Sequence, residues 1–160
     1  MSAEGARFTL DTNLLVYSID SASGVRHRLA REIVDRAVES DCWLTLQALG
    51  EFYVAVTRKG VTPRAEAAAQ AADWLELFPT VAASAAAVRV ALAAAAVGRA
   101  SYWDALLVAT AAEAGCTVVL TEDMSDGSVL NGLRMHNPFA ASGDLTGMAR
   151  RLLGLGELQP

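Results

Sequence analysis

Phe8-Thr9-Leu10-Asp11-Thr12-Asn13-Leu14-Leu15-Val16-Tyr17 is the stretch that decides the fold. An apolar, strand-compatible run stops on a carboxylate, and the chain changes at once to helical spacing. A strand that ends on an acid and turns into a helix is the opening unit of an α/β fold. The pattern returns later, where residues 116–121 read as a buried strand and run into the acidic loop Glu122-Asp123-Met124-Ser125-Asp126. Working outward, residues 25–39 form an amphipathic helix with Leu29, Ile33, Val34 and Val38 inward. Residues 42–45 form a short strand and 46–58 a largely apolar helix. Thr62 as N-cap and Pro63 at the first helical position predict a helix that runs to about Phe78, where Pro79 stops it. Alanine-rich residues 84–97 and then 101–114 predict two more helices, ended by Gly98 and Gly115. A loop over 122–132, a strand over 134–137 and a terminal helix over 145–153 complete the reading. Strands alternating with helices imply a mainly parallel sheet, whose ligands bind beyond the carboxyl ends of the strands. Asp11 and Asp123 both fall at such ends.

No repeat or Pro/Gly-rich linker divides the 160 residues, so residues 1–160 are expected to form a single domain. The chain is 53% hydrophobic and 19% charged, which excludes a disordered protein. Its longest apolar stretch, residues 81–96, is mostly alanine and broken by Ser84 and Arg89, too weak for a membrane span. Residues 1–7 are polar and the apolar segment after them carries Asp11, so no secretory leader is expected and the location expected is cytoplasmic. Cys42 and Cys116 lack zinc spacing or a disulfide framework and read as small buried hydrophobes. A net charge of −5 argues against holding nucleic acid by overall positive charge. It leaves open an acidic site whose bound cations reverse the local sign.

Charged residues are scarce enough to interrogate singly. Asp11 alone reads as a helix N-cap. Glu51 is the one charged residue between Cys42 and Val56, on a helix apolar enough to be buried; it is either paired at the helix rim or functional. Asp104 follows Ser101 by three residues and reads as a capping box or as a carboxylate facing the sheet edge. Asp123 lies between Glu122 and Asp126, and each of the three is a candidate. Taken together, several carboxylates at strand ends and helix starts are unfavourable without cations and predict a divalent metal site.

With these motifs in order, the chain resembles the PIN-domain ribonucleases, in particular the VapC-type toxins of bacterial toxin–antitoxin pairs. The opening stretch resembles the family's first motif. Gln47-Ala48-Leu49-Gly50-Glu51-Phe52 resembles the second, Tyr102-Trp103-Asp104-Ala105-Leu106-Leu107-Val108-Ala109-Thr110-Ala111 the third, and Leu120-Thr121-Glu122-Asp123-Met124 the fourth. The motifs span about residues 7–139. The resemblance implies a three-layer α/β/α sandwich around a mainly parallel sheet, a Mg²⁺ or Mn²⁺ cofactor, and hydrolysis of RNA phosphodiesters. It assigns the catalytic and metal-binding roles to Asp11, Glu51, Asp104 and Asp123, with Thr12, Asn13 and Thr121 orienting the carboxylates. It implies an RNA substrate, a cognate antitoxin and a homodimer, while the weak apolar stretches imply no membrane.

Arginines supply 12 of the 13 basic residues and suit phosphate contact. Arg26, Arg28, Arg31 and Arg36 share one helix, and Arg58, Lys59 and Arg64 lie near a turn; a solvated surface is the expectation for most. His27 and His136 are not spaced as a catalytic pair. Trp43, Trp74 and Trp103 read as core. The rival enzyme, a phosphatase of the haloacid-dehalogenase type, would want an aspartate where Asn13 stands and a downstream lysine, and Lys59 is in the wrong context. A non-cleaving PIN scaffold and a nuclease of RNA processing are the other readings.

Overall fold

The computed structural model describes residues 5–58, 60 and 62–159; Lys59 lies outside them. The opening stretch forms β1 (Phe8–Leu10) and α1 (Thr12–Ile19), with Asp11 as the N-cap between them. A turn of 3-10 helix at Ser21–Ser23 leads to α2 (Val25–Ala37), β2 (Leu44–Thr45), α3 (Leu46–Arg58), α4 (Arg64–Leu77) and β3 (Thr80–Val81). Then come α5 (Ala85–Ala96), α6 (Tyr102–Glu113), β4 (Val118–Leu120), β5 (Val129–Leu130), β6 (Leu133–His136) and α7 (Gly147–Leu152).

The architecture is a three-layer α/β/α sandwich. Its central sheet has the order β1-β4-β6-β5, with β1, β4 and β6 parallel and β5 an antiparallel edge. β2 and β3 form a second parallel pair, tied to the first sheet by a bridge between Phe8 and Cys42. Burial explains the sheet's centre: β1 and β4 are buried at every position and carry no charge. The register sets Leu10 against Leu120 and Leu120 against His136. The next residues, Asp11 and Thr121, therefore emerge side by side at the carboxyl edge. α1 packs against α2 and α3, α3 against α4, and α5 against α6. Between α5 and α6 the contact is built on Ala87, Ala91, Ala94, Ala105 and Ala109, small enough to bring two backbones close.

Helix bounds follow the sequence reading to within about two residues. Pro63, not Thr62, occupies the N-cap of α4; its extended backbone (ψ 141°) delays the first helical residue to Arg64, while its carbonyl accepts the first helical N–H, from Ala67. Two strands were not anticipated. β3 and β5 have only two residues each, too few for an alternating pattern to register, and β5 lies inside the expected loop 122–132. Cys42 and Cys116 are free and buried, as expected. Trp74 is core, edge-on to Phe52 with ring centroids 4.7 Å apart. Trp103 is a correction: it is 61% exposed. The buried run of α6 begins only at Ala105, one residue after Asp104; in the first turn Tyr102 packs on the α5–α6 cluster and Trp103 points out from it. Among the described residues no helix is long and apolar enough to cross a membrane.

Candidate active site

Asp11 leaves β1 with its N–H bonded to the Leu120 carbonyl at 3.0 Å, which locks it to the neighbouring strand. Its Oδ1 accepts the Thr12 N–H at 2.8 Å, the capping role foreseen, and its Oδ2 accepts the Thr121 hydroxyl at 2.7 Å. The side chain is buried, with 6% of the residue exposed, and makes no ion pair among the described residues. Burial pushes its pKa up to about 6 against the ordinary 3.8, opposed by the Thr121 and Thr12 hydrogen bonds and reinforced by the charges of Asp104 and Asp123.

The two threonines join three acids into one chain. Thr12 donates its N–H to Asp11 and its hydroxyl to Glu51 Oε2 at 3.1 Å. Thr121 donates to Asp11, and its oxygen accepts the N–H of Asp123 at 3.2 Å and of Met124 at 3.4 Å. Glu51 is half-buried on α3 and receives a second hydrogen bond from Gln47 Nε2, one helical turn earlier, at 2.5 Å. The same Gln47 nitrogen donates to the Trp103 carbonyl at 2.9 Å, which ties α3 to the start of α6. Asp104 sits in the first turn of α6, its N–H capped by the Ser101 hydroxyl at 3.2 Å, where the helix dipole favours a negative charge.

Asp11, Glu51, Asp104 and Asp123 are thus brought to one edge of the sheet. Asp104 and Asp123 also line a common groove of about 390 Å³ together with Arg99, Met124 and Leu130. Asn13 is not brought into the hydrogen-bond chain: both polar atoms of its side chain are buried without a partner among the described residues. The acids on either side of Asp123 are engaged elsewhere. Glu122 accepts the Tyr17 hydroxyl at 2.8 Å and pairs with Arg26 at 2.6 Å. Asp126 accepts the Asn137 N–H at 2.9 Å and lies 3.6 Å from His136 Nδ1. His136, with its pKa lowered by burial, and His27, bonded to the Tyr17 carbonyl, stand outside the cluster.

The donor set is all oxygen, and Asp11 is a buried carboxylate whose ionised form is disfavoured by its surroundings. Both features fit a hard divalent cation. Among the described residues no three carboxylate, imidazole or thiol side chains stand close enough to enclose an ion by themselves. Mg²⁺ keeps waters and takes one or two carboxylates plus substrate phosphate, so it does not require such a cage. Sequence reading missed two features here. Arg99 carried one signal, as the sole basic residue between Arg89 and Arg134. The engagement of Glu122 by Arg26 and Tyr17 carried none, because those residues lie far away in the chain.

A search by sequence against curated proteins finds no match. Among solved structures the chain is similar to Mycobacterium tuberculosis VapC20, a sarcin-ricin loop cleaving toxin, with a TM-score of 0.61 and 18% identity over 72% of this chain and 89% of that one. The likeness establishes a shared fold. The family model of the PIN domain matches residues 8–125, a stretch that holds β1 through β4 and all four acids. By that match, and with its acids gathered at the carboxyl edge of the sheet, this chain belongs to the PIN domain family.

Proposed function

We propose that the chain is a Mg²⁺- or Mn²⁺-dependent ribonuclease that hydrolyses RNA phosphodiester bonds, and that it acts as the toxin of a toxin–antitoxin pair in the cytoplasm. The observation that carries the reading is the chain Glu51–Thr12–Asp11–Thr121–Asp123, whose central carboxylate is buried without a cation and feels the charge of Asp104. Asp11 and Asp104 are the direct ligands in this account, and Glu51 and Asp123 complete the site or orient the attacking water. When bound, the ion supplies Lewis acidity and charge neutralisation at phosphate and water.

The chain's own residues do the positioning. Thr12 and Thr121 fix both oxygens of Asp11, so its carboxylate cannot rotate away from the edge of the sheet. Thr12 and Gln47 hold Glu51 from two sides, which suits it to accept a proton from water. The Thr121 oxygen pins the backbone of the loop that carries Asp123. Residues after the family match supply Leu133, Met135, Leu145 and Leu152 to the same core as β1 and β4, which supports reading residues 1–160 as one domain. Exposed Leu75 and Leu77 on α4, and Val90 and Leu92 on α5, support an antitoxin and a second copy of the chain as partners.

A PIN scaffold that binds RNA or protein without cutting is favoured by one observation, the lack of a ready ion cage among the described residues. Cleavage of a mixed RNA panel with Mg²⁺ or Mn²⁺ decides between them. Wild type is expected to cut, with Asp11→Asn and Asp104→Asn each slower by about 10²–10⁴-fold, the range for removal of a positioned catalytic group. Activity that survives both substitutions or chelation contradicts the mechanism.

A further inference from the structure

The groove beside Asp104 and Asp123 contains one arginine. Arg99 shares that groove with two carboxylates and yet makes no ion pair and no side-chain hydrogen bond among the described residues. Its backbone is held firmly. α5 closes with Gly98 in the left-handed region (φ 72°), the Gly98 N–H on the Ala95 carbonyl and the Arg99 N–H on the Ala94 carbonyl, both at 3.0 Å. This is the paired closure of a Schellman motif, with Arg99 its last member. Ser125 and Ser128 add hydroxyls to the lining, and Met124, Val129 and Leu130 give it an apolar side, with Val129 62% exposed on the edge strand β5. At about 390 Å³ the groove lies in the usual size range of small-ligand sites, roughly 300–1,000 Å³.

An acidic site meets a difficulty with RNA, because its net charge repels the polyanion on either side of the reacting phosphate. A guanidinium on a fixed backbone, left unpaired beside acids, supplies a two-pronged contact to phosphate oxygens. The apolar side chains offer a surface for the flat face of a base or ribose. Resting on the ribonuclease reading, we infer that this groove binds the nucleotide adjacent to the cleaved bond, with Arg99 on its phosphate and Val129 and Leu130 against its base or sugar. Arg99 is a positioning residue: it holds the substrate and takes no part in the proton transfers.

Binding of a fluorescein-labelled, mixed-sequence, twelve-nucleotide RNA by anisotropy, in EDTA with KCl varied from 20 to 200 mM, tests the inference. Each phosphate contact on a single strand adds about 0.7 to the slope of log affinity against log salt. Arg99→Gln is expected to bind about 10-fold more weakly at 50 mM KCl and to lower that slope by about 0.7. Arg99→Lys is expected to keep the slope and lose part of the affinity, because the charge remains and the fork does not. Val129→Ser is expected to weaken binding several-fold with the slope unchanged. Wild-type affinity and slope in Arg99→Gln, or weaker binding with no change of slope, overturn the inference and leave the groove to a protein partner. Wild type that cleaves RNA but does not bind the probe overturns it too. Wild type that neither binds nor cleaves any RNA removes the ribonuclease reading on which it rests.

Discussion

Glu122 and Asp123 are neighbours in sequence and belong to opposite kinds of region. On one side of the loop, Glu122 is finished: Tyr17 donates to one oxygen and Arg26 pairs with the other, while the Arg26 guanidinium also lies 5.8 Å from the Phe139 ring centroid. On the other side, Asp123 and Asp104 both add their charge to the surroundings of Asp11, and none of the three carboxylates makes an ion pair among the described residues. The first region answers its charges internally and serves to hold the loop. The second leaves its charges unanswered, and a cluster of that kind persists only where a ligand completes it. The contrast separates two adjacent acids: Glu122 is held by partners within the protein, and Asp123, in the proposed mechanism, is left for the metal.

The sharpest way to break the contrast is to remove the unanswered charge. The Asp11 carboxyl has a folded pKa of about 6 against 3.8, so the folded state holds its proton more tightly than the unfolded one. Stability from this group is complete below about pH 4 and is lost as the pH rises through 6. Metal-free Asp11→Asn is therefore expected to be more stable than wild type at pH 7.5, by up to roughly 3 kcal/mol, and no more stable at pH 4. Urea melts in EDTA at the two pH values check this. A variant less stable than wild type at pH 7.5 would place Asp11 among the answered charges.

Thr121→Val sharpens the same region. It deletes the hydroxyl that donates to Asp11 and accepts from Asp123, and a hydrogen bond to a charged group is worth about 1.5–3 kcal/mol. Loss of about 2 kcal/mol above pH 6, shrinking below pH 5 as Asp11 protonates, is expected in the same melts. An equal loss at both pH values would mean that the methyl-for-hydroxyl change acts through packing alone. On the answered side the effect is smallest. Tyr17→Phe removes a single bond to Glu122 and is expected to cost about 1 kcal/mol, with no effect on metal affinity. In wild type the Tyr17 phenol, pushed up to about 12 by burial and then by Glu122, should be missing from a spectroscopic tyrosine titration run to pH 11. A normal titration near pH 10 would dissolve the Tyr17–Glu122 contact.

Much of this was legible in the sequence for local reasons. β1 and β4 announce themselves as short uncharged runs ending at a turn, and Asp11, Ser84 and Ser101 each cap the helix that follows them. Asp11, Asp104 and Asp123 could be placed because each stands near such a boundary, and Glu51 because it is the one charged residue between Cys42 and Val56, inside α3. What was not legible is tertiary. The sequence offers three acids after β4, and only the approach of α1 and α2 shows that Tyr17 and Arg26 consume Glu122. Trp103 lies in an apolar helix that reads as buried throughout, yet α6 starts its buried run two residues later. Asn13 fits the opening motif by type, but its side chain meets no partner among the described residues. Arg99 stood out only by isolation, and its groove exists because β5, too short to be read, lies beside it.

Titration of Mn²⁺ into wild type and Asp11→Asn at pH 7.5, followed by the electron paramagnetic signal of the free ion, tests the central claim most directly. Wild type should bind at least one ion, at least about 10-fold more tightly than the variant, and should release it as the pH falls below 6 and protons compete for Asp11. Binding that is absent from wild type, or equal in Asp11→Asn, would contradict the claim that the unanswered carboxylates are a metal site.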